Sequence, residues 1–151
     1  MTFYGTYDYQ LDDRNRVAIP PDYRDQYEGG AVLMTGMEPC VVIHTPDSFV
    51  QAAAAVEAIP EETESGRDAR RDFYSNAFKE KKDNQGRLLL RSKLIAHAGL
   101  RKDVVVIGSG GWLEIWDRET WEGREAEREV ARRDALARIG EWKSAQQGLG
   151  A

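Results

Sequence analysis

Apolar residues recur along this chain in short runs. Val17-Ala-Ile19, Val32-Leu-Met34, Val41-Val-Ile43, Leu88-Leu-Leu90 and Val104-Val-Val-Ile107 are each three or four residues long and lie close to Gly, Pro or Asp. Such runs predict strands. Val104–Ile107, the glycine-rich stretch Gly108-Ser-Gly-Gly111 and Trp112–Trp116 predict a β-hairpin whose glycines accept positive φ. Trp112, Glu114 and Trp116 share one strand face and Leu113 and Ile115 the other, so neither face is suited to water. Helix starts are predicted at Pro20-Pro21, Thr45-Pro46-Asp47 and Asp117-Arg118-Glu119. An alanine-rich helix from Phe49 to about Ala58 stops before Pro60. Ala69, Phe73 and Ala77, with Tyr74 and Phe78 beside them, predict the next helix, with Arg67, Arg70 and Arg71 on its solvated face. After Trp121, the spacings Glu129–Arg133 and Asp134–Arg138 predict one long surface helix, with a frayed end over Gln146–Ala151.

The pattern repeats. Leu11-Asp-Asp-Arg-Asn-Arg-Val-Ala-Ile-Pro20 aligns with Lys82-Asp-Asn-Gln-Gly-Arg-Leu-Leu-Leu-Arg91 at an offset of 71. Val32–Gly36 then aligns with Val104–Gly108, and Cys40–Thr45 with Trp112–Asp117, at an offset of 72. Two copies of one unit of roughly 45 residues therefore make up most of the chain. A unit this small and apolar on both faces cannot bury itself alone, so the copies must interdigitate. Residues 6–49 form the first repeat, 50–77 a helical connector, 78–121 the second repeat, and 122–151 a C-terminal helix and tail. Subunit packing over Trp112 and Trp116 is expected as well, with burial inside one chain as the competing account.

Length and composition narrow the choices. At 151 residues with 41% hydrophobic content, the chain holds enough apolar material for a core and none of the long runs a membrane helix needs. The single cysteine, Cys40, excludes an internal disulfide and a multi-thiolate zinc site, and the start carries no secretory signal pattern. A cytoplasmic location is the expectation. The formal charge of −5 argues at first against nucleic acid. Between Lys79 and Lys102, however, eight basic residues face only Glu80 and Asp83, giving +6 there and −11 elsewhere. A local patch and the overall field are separate matters, because charges beyond about 8–10 Å are screened. A solvated basic face is the plainer account of such a run.

Catalytic constellations are missing from the sequence. His44 and His97 lack metal-pair spacing, no serine sits in a nucleophile elbow, and Gly108–Gly111 leads into a strand instead of a phosphate-binding helix. His44 and Cys40 are expected in structural positions, and His97 in a short helix closed by Gly99. No enzyme, cofactor, metal or small-molecule substrate is expected. The specific feature is Asp-x-x-x-Arg, present twice: Asp12 with Arg16, and Asp83 with Arg87. Each aspartate is expected to orient its loop while its arginine projects outward. A guanidinium fork matches phosphate, or O6 and N7 of guanine in the major groove. An ion pair bracing a turn is the plainer account.

Phe3-x-Gly5, Leu11-Asp12-x-x-x-Arg16-Val-x-Ile-Pro20, Arg70-Arg71-x-Phe73, Asp83-x-x-Gly86-Arg87-Leu88, Ala98–Gly108 and Leu113–Asp117 together resemble the MraZ family, from about Phe3 to Trp121. The resemblance implies an α+β, mainly β fold: a swapped-hairpin AbrB-like β-barrel built from two tandem SpoVT-AbrB-like repeats. It implies a nucleoid-associated, sequence-specific DNA-binding regulator, a repressor of the division and cell-wall gene cluster including its own promoter. It also implies a homo-oligomer, a ring, that meets repeated short boxes in double-stranded DNA. An AbrB-like antitoxin or protein-interaction module is the alternative. By resemblance Arg16 and Arg87 contact DNA, with Arg14, Lys82 and Arg91 as further DNA-binding candidates and Asp12, Asp83 and Gly86 as loop-orienting residues. Asn15 replaces the glycine usual in the first loop, and asparagine tolerates left-handed geometry.

Overall fold

The computed structural model describes residues 1–149. Met1–Arg118 form one compact unit, and the residues from Glu119 onward form a second. In the first unit, strands β1 (Thr6–Gln10), β2 (Arg16–Ala18), β3 (Ala31–Thr35) and β4 (Val41–His44) belong to the first repeat. Strands β5 (Ala77–Glu80), β6 (Arg87–Leu89), β7 (Asp103–Gly108) and β8 (Leu113–Asp117) belong to the second. A 3-10 turn over Pro21–Tyr27 occupies the place in repeat one that helix α1 (Ser92–Ala98) takes in repeat two. The connector contains helices α2 (Pro46–Glu57) and α3 (Glu64–Ser75).

Every strand pair is antiparallel, so the first unit is α+β with its core built on antiparallel sheet. Six strands run in the order β1-β7-β8-β4-β3-β5, and β2 pairs with β6 in a separate ribbon. The repeats exchange their first strands: β1 pairs with β7 of the second repeat and β5 with β3 of the first. The exchange is what lets two small units share one core. Among the described residues β1 and β5 stand at the two ends of the strand order. Val17, Ile19, Leu88 and Leu90 from the ribbon segments are buried against Leu33, Ile43, Val104, Val106, Leu113 and Ile115. Each such side chain contributes about 1.5–3 kcal/mol of transfer free energy.

The hairpins correct the repeat alignment. Ala31 and Leu33 face the core in β3, and Val104 and Val106 do so in β7, an offset of 73 and not 72. Val41 and Ile43 in β4 match Leu113 and Ile115 in β8 at 72. The difference falls in the turns, where Gly36 N–H donates to the Cys40 carbonyl but Ser109 N–H donates to that of Trp112, one residue nearer. Side chains alternate with period two, so aligning Val32 with Val104 would have turned one strand inside out. The turn at Gly108 also holds the N-terminal segment: its N–H donates to the Gly5 carbonyl, and Phe3 bridges Gly110.

Several local expectations are modified by packing. The second connector helix ends at Ser75. Ala77 and Phe78 pair with Met34 and Leu33 in the sheet, because tertiary strand pairing outweighs their helical spacing. Arg70 is not simply solvated: it pairs with Glu57 and donates to the carbonyls of Glu57 and Ile59, clamping α3 to α2. Trp116 is 5% exposed within the single chain, so its burial needs no second subunit, whereas Trp112 is half-buried. Both indoles donate to the Glu114 carboxylate, at 2.8 and 3.0 Å. His44 is buried, its Nδ1 lies 2.8 Å from Ser48 Oγ, and burial lowers its pKa to about 4. Cys40 is fully buried, and α1 ends on Gly99 in a left-handed conformation.

The second unit holds three helical segments in place of one long helix: α4 (Arg118–Gly123, which begins on the last residue of the first unit), α5 (Glu125–Ala137) and α6 (Ile139–Leu149). Arg124 pairs with Glu127 and Arg138 with Glu141, at i,i+3 spacings that differ from those expected from sequence. The helix runs through Leu149 where a frayed end was expected, and the last two residues of that tail lie outside the described residues. No described helix is long and apolar enough to cross a membrane.

Candidate nucleic-acid interface

The two Asp-x-x-x-Arg loops are built alike. In the first, Asp12 N–H donates to the Arg16 carbonyl and Asn15 N–H to the Asp12 carbonyl. In the second, Asp83 N–H donates to the Arg87 carbonyl and Gly86 N–H to that of Asp83. Closing so tight a turn requires a left-handed residue just before the arginine. Asn15 has φ of 57° and Gly86 of 75°. Asparagine is among the few side chains that accept this geometry.

Each aspartate then serves its loop with both oxygens. Asp12 Oδ1 accepts the N–H groups of Arg14 and Arg16, each at 2.9 Å, and Oδ2 accepts Nε of Arg16 at 2.8 Å. Asp83 does the same with Gln85, Arg87 and the Arg87 Nε, each at 2.9 Å. The amide of Arg16 is the foremost influence holding the Asp12 carboxyl below its ordinary pKa, and the amide of Arg87 does this for Asp83, in both cases against opposing desolvation.

The ribbon sets the loops side by side. Arg16 lies opposite Leu89, Val17 opposite Leu88, and Ala18 opposite Arg87. Val17 and Leu88 point into the core, so Arg16 and Arg87 share the outward face, on a diagonal. The arginines therefore do not simply project away. Arg87 Nη1 donates to Asp12 Oδ2 at 3.3 Å, and Arg16 Nη1 lies 3.6 Å from Asp83 Oδ2. Two carboxylates and two guanidiniums form one cross-linked ring of zero formal charge. Each arginine keeps an Nη2 group with no hydrogen bond or ion pair among the described residues. Such a group is a directional donor held by its neighbours, which limits the ordering cost of binding.

The other candidates fare differently. Arg14 is exposed at the tip of the first loop, and its side chain has no hydrogen-bond or ion-pair partner among the described residues. Lys82 pairs with Glu28 at 3.0 Å. Arg91 pairs with Glu80 at 2.6 Å, and its guanidinium lies 5.7 Å from the centre of the Phe78 ring. Arg101 in the same run pairs with the buried Asp117. The apparent +6 of that segment is thus partly cancelled by Glu28, Asp12 and Asp117, which are remote in sequence.

Arg24 is a residue that sequence reasoning missed. Its side chain lies flat over Gly86: a Cβ built on Gly86 would come within 2.4 Å of Arg24 Nε. That Nε donates to the Ile19 carbonyl at 3.0 Å. The repeat offset of 71 places Ile95 opposite Arg24, and a break in the repeat at that position was the available signal.

Residues 2–72 and 73–139 each match the family model described as "MraZ protein, putative antitoxin-like". The chain is similar to the Transcriptional regulator MraZ of Thermobifida fusca, 39% identical over 84% of this chain and 89% of that protein. It is 37% identical to the protein of the same name from Micrococcus luteus, over 85% of this chain and 90% of that one. The Kineococcus radiotolerans protein of that name is 38% identical over 80% and 84%.

Proposed function

The chain belongs to the MraZ family, whose relatives above are named as transcriptional regulators, and on that premise we propose that it regulates transcription by binding double-stranded DNA through the Arg16 and Arg87 loops. The observation that carries this function is the cross-linked ring on the outward face of the β2–β6 ribbon. A two-stranded ribbon fits the major groove, and a guanidinium there reads guanine in a bidentate manner. Because the ring has no net charge, it contributes direction and specificity more than general attraction to phosphate. The ribbon has only three residue pairs, so one chain touches few bases.

Affinity then comes from several linked copies. A homo-oligomer, a ring presenting many loop pairs, meets short boxes in direct repeat, and every contact after the first is intramolecular. The targets are the promoter of the division and cell-wall gene cluster and its own upstream region, where the protein acts as a cytoplasmic, nucleoid-associated repressor. The function involves no catalysis and no cofactor. Footprinting on the DNA upstream of its own gene tests this directly. Protection is expected over repeated boxes spaced near one helical turn (about 10 base pairs). Titration on single-box and multi-box probes should show affinity lost far beyond each box's share. Absence of any footprint, or equal affinity for one box and several, would overturn the proposal. An antitoxin-like module would instead leave upstream DNA unprotected.

A further inference from the structure

The ring of Asp12, Arg16, Asp83 and Arg87 is neutral, so phosphate attraction at the loops must come from cations outside it. In the first loop Arg14 fills that place, exposed and without a side-chain partner among the described residues. Its repeat equivalent in the second loop is Gln85, which is uncharged. The second loop gains a guanidinium by a different route. Arg24, at the middle of the 3-10 turn, lies across Gly86, anchored by its Nε to the Ile19 carbonyl. The Ile19 N–H in turn donates to the Gly86 carbonyl at 2.8 Å, so Arg24 is fixed to the second loop by two links. Its Nη groups make no hydrogen bond or ion pair among the described residues, although Asp22 and Asp25 are close in sequence. The equivalent position beside Asn15 is Ile95, which is uncharged; the concavity it lines with Asp12, Asp13 and Asn15 takes its cations, Arg101 and Lys102, from elsewhere in the chain.

We propose that Arg24 is the phosphate-contacting cation of the second loop, the counterpart in charge but not in position of Arg14 in the first. The pseudo-twofold pair of loops is thereby made unequal. One loop carries an unpaired guanidinium at the tip, and the other carries one anchored through Nε over its left-handed glycine. A subunit built this way reads a directional DNA element and not a palindrome. Glycine at position 86 serves two ends: it permits the positive φ, and it leaves room for the Arg24 side chain to lie flat.

This inference rests on the DNA-binding function proposed above, and the test separates the two. Full-length protein is titrated with a duplex of the DNA upstream of its own gene at several salt concentrations, as wild type, Arg24→Met and Arg24→Lys. Methionine keeps the stem over Gly86 and removes the charge; lysine restores a charge without the fork. Arg24→Met is expected to lower the salt slope by about one per engaged subunit, with the preference among sequences unchanged. Between 50 and 200 mM salt, wild type should then lose roughly 3–4-fold more affinity per subunit than Arg24→Met. Arg24→Lys should recover the slope. A wild-type slope in Arg24→Met overturns the inference alone. So does an equal loss at every salt concentration in both variants, which would make Arg24 a brace for the loop. Wild-type affinity in the Arg16→Ala, Arg87→Ala double variant overturns the DNA-binding site and this inference with it.

Discussion

Arg87 Nη1 donates to Oδ2 of Asp12, 3.3 Å away and 75 residues earlier in the chain. The same Asp12 oxygen accepts Nε of Arg16 at 2.8 Å, so one carboxylate oxygen joins the arginines of both repeats. This contact exists only because β2 and β6 are paired, and it makes the two Asp-x-x-x-Arg loops a single structure. A change in either loop is therefore felt in the other.

Arg16→Ala and Arg87→Ala should each cost about 1–3 kcal/mol of specific DNA affinity if the arginine reads a base. The shared carboxylate makes their effects non-additive, because removing one arginine loosens the other. Binding isotherms of the singles and the double variant check this. Additivity within about 0.5 kcal/mol would mean that the loops act independently.

The left-handed residues should differ in sensitivity. Asn15→Gly is expected to leave stability nearly unchanged, and Asn15→Ala to cost about 1 kcal/mol from strain at positive φ. Gly86→Ala should cost more, since its new methyl meets the Arg24 side chain besides the strain. Thermal melts of the three variants give the order. A Gly86→Ala melt equal to wild type would show that the loop finds another conformation.

Two acid transitions should separate with pH. His44, ordinarily near 6.5, is lowered to about 4 by burial, so it stays neutral in the fold while the unfolded chain takes up its proton. Its contribution is complete above about 6.5 and is lost as pH falls from there towards 4, with a ceiling of about 3 kcal/mol. Asp12 and Asp83 have lowered values, so their contribution is present above the unfolded value of 3.8 and disappears as pH falls through the folded one. His44→Gln should flatten the upper limb of stability against pH and leave the lower. Asp12→Asn with Asp83→Asn should do the reverse. Unchanged limbs in both variants would refute the assignments.

Gly108→Ala should destabilise the first unit by about 1–3 kcal/mol, the usual range for overpacking. A Cβ there would stand 2.4 Å from the Phe3 carbonyl carbon and the Tyr4 nitrogen, backbone atoms that cannot swing aside. Denaturant unfolding measures the loss. Gly111→Ala, which meets nothing within 4 Å, is the control and should stay near wild type.

The sequence by itself determined much of this protein. Short apolar runs between turn formers located the β2, β3, β4, β6, β7 and β8 strands, because strands of a shared core must be apolar wherever they are covered. The duplicated Asp-x-x-x-Arg pattern located both loops, because a turn that returns its arginine amide to an aspartate needs that spacing. Asn15 was legible as a left-handed residue from its chemistry alone. Other features depended on contacts between remote segments. The exchange of β1 and β5 between repeats overrode the helical spacing of Ala77 and Phe78, since tertiary pairing and packing against β3 outweigh a weak intrinsic helical preference. The one-residue difference between the hairpin turns fixed which face of β7 is buried, a matter of parity that an alignment of similar valines does not resolve. Charge along the chain suggested a basic segment, but the fold brought Glu28, Asp12 and Asp117 to its cations. Arg24 reached the second loop for the same reason: ion pairs and packing depend on distance in space, which only the tertiary structure assigns.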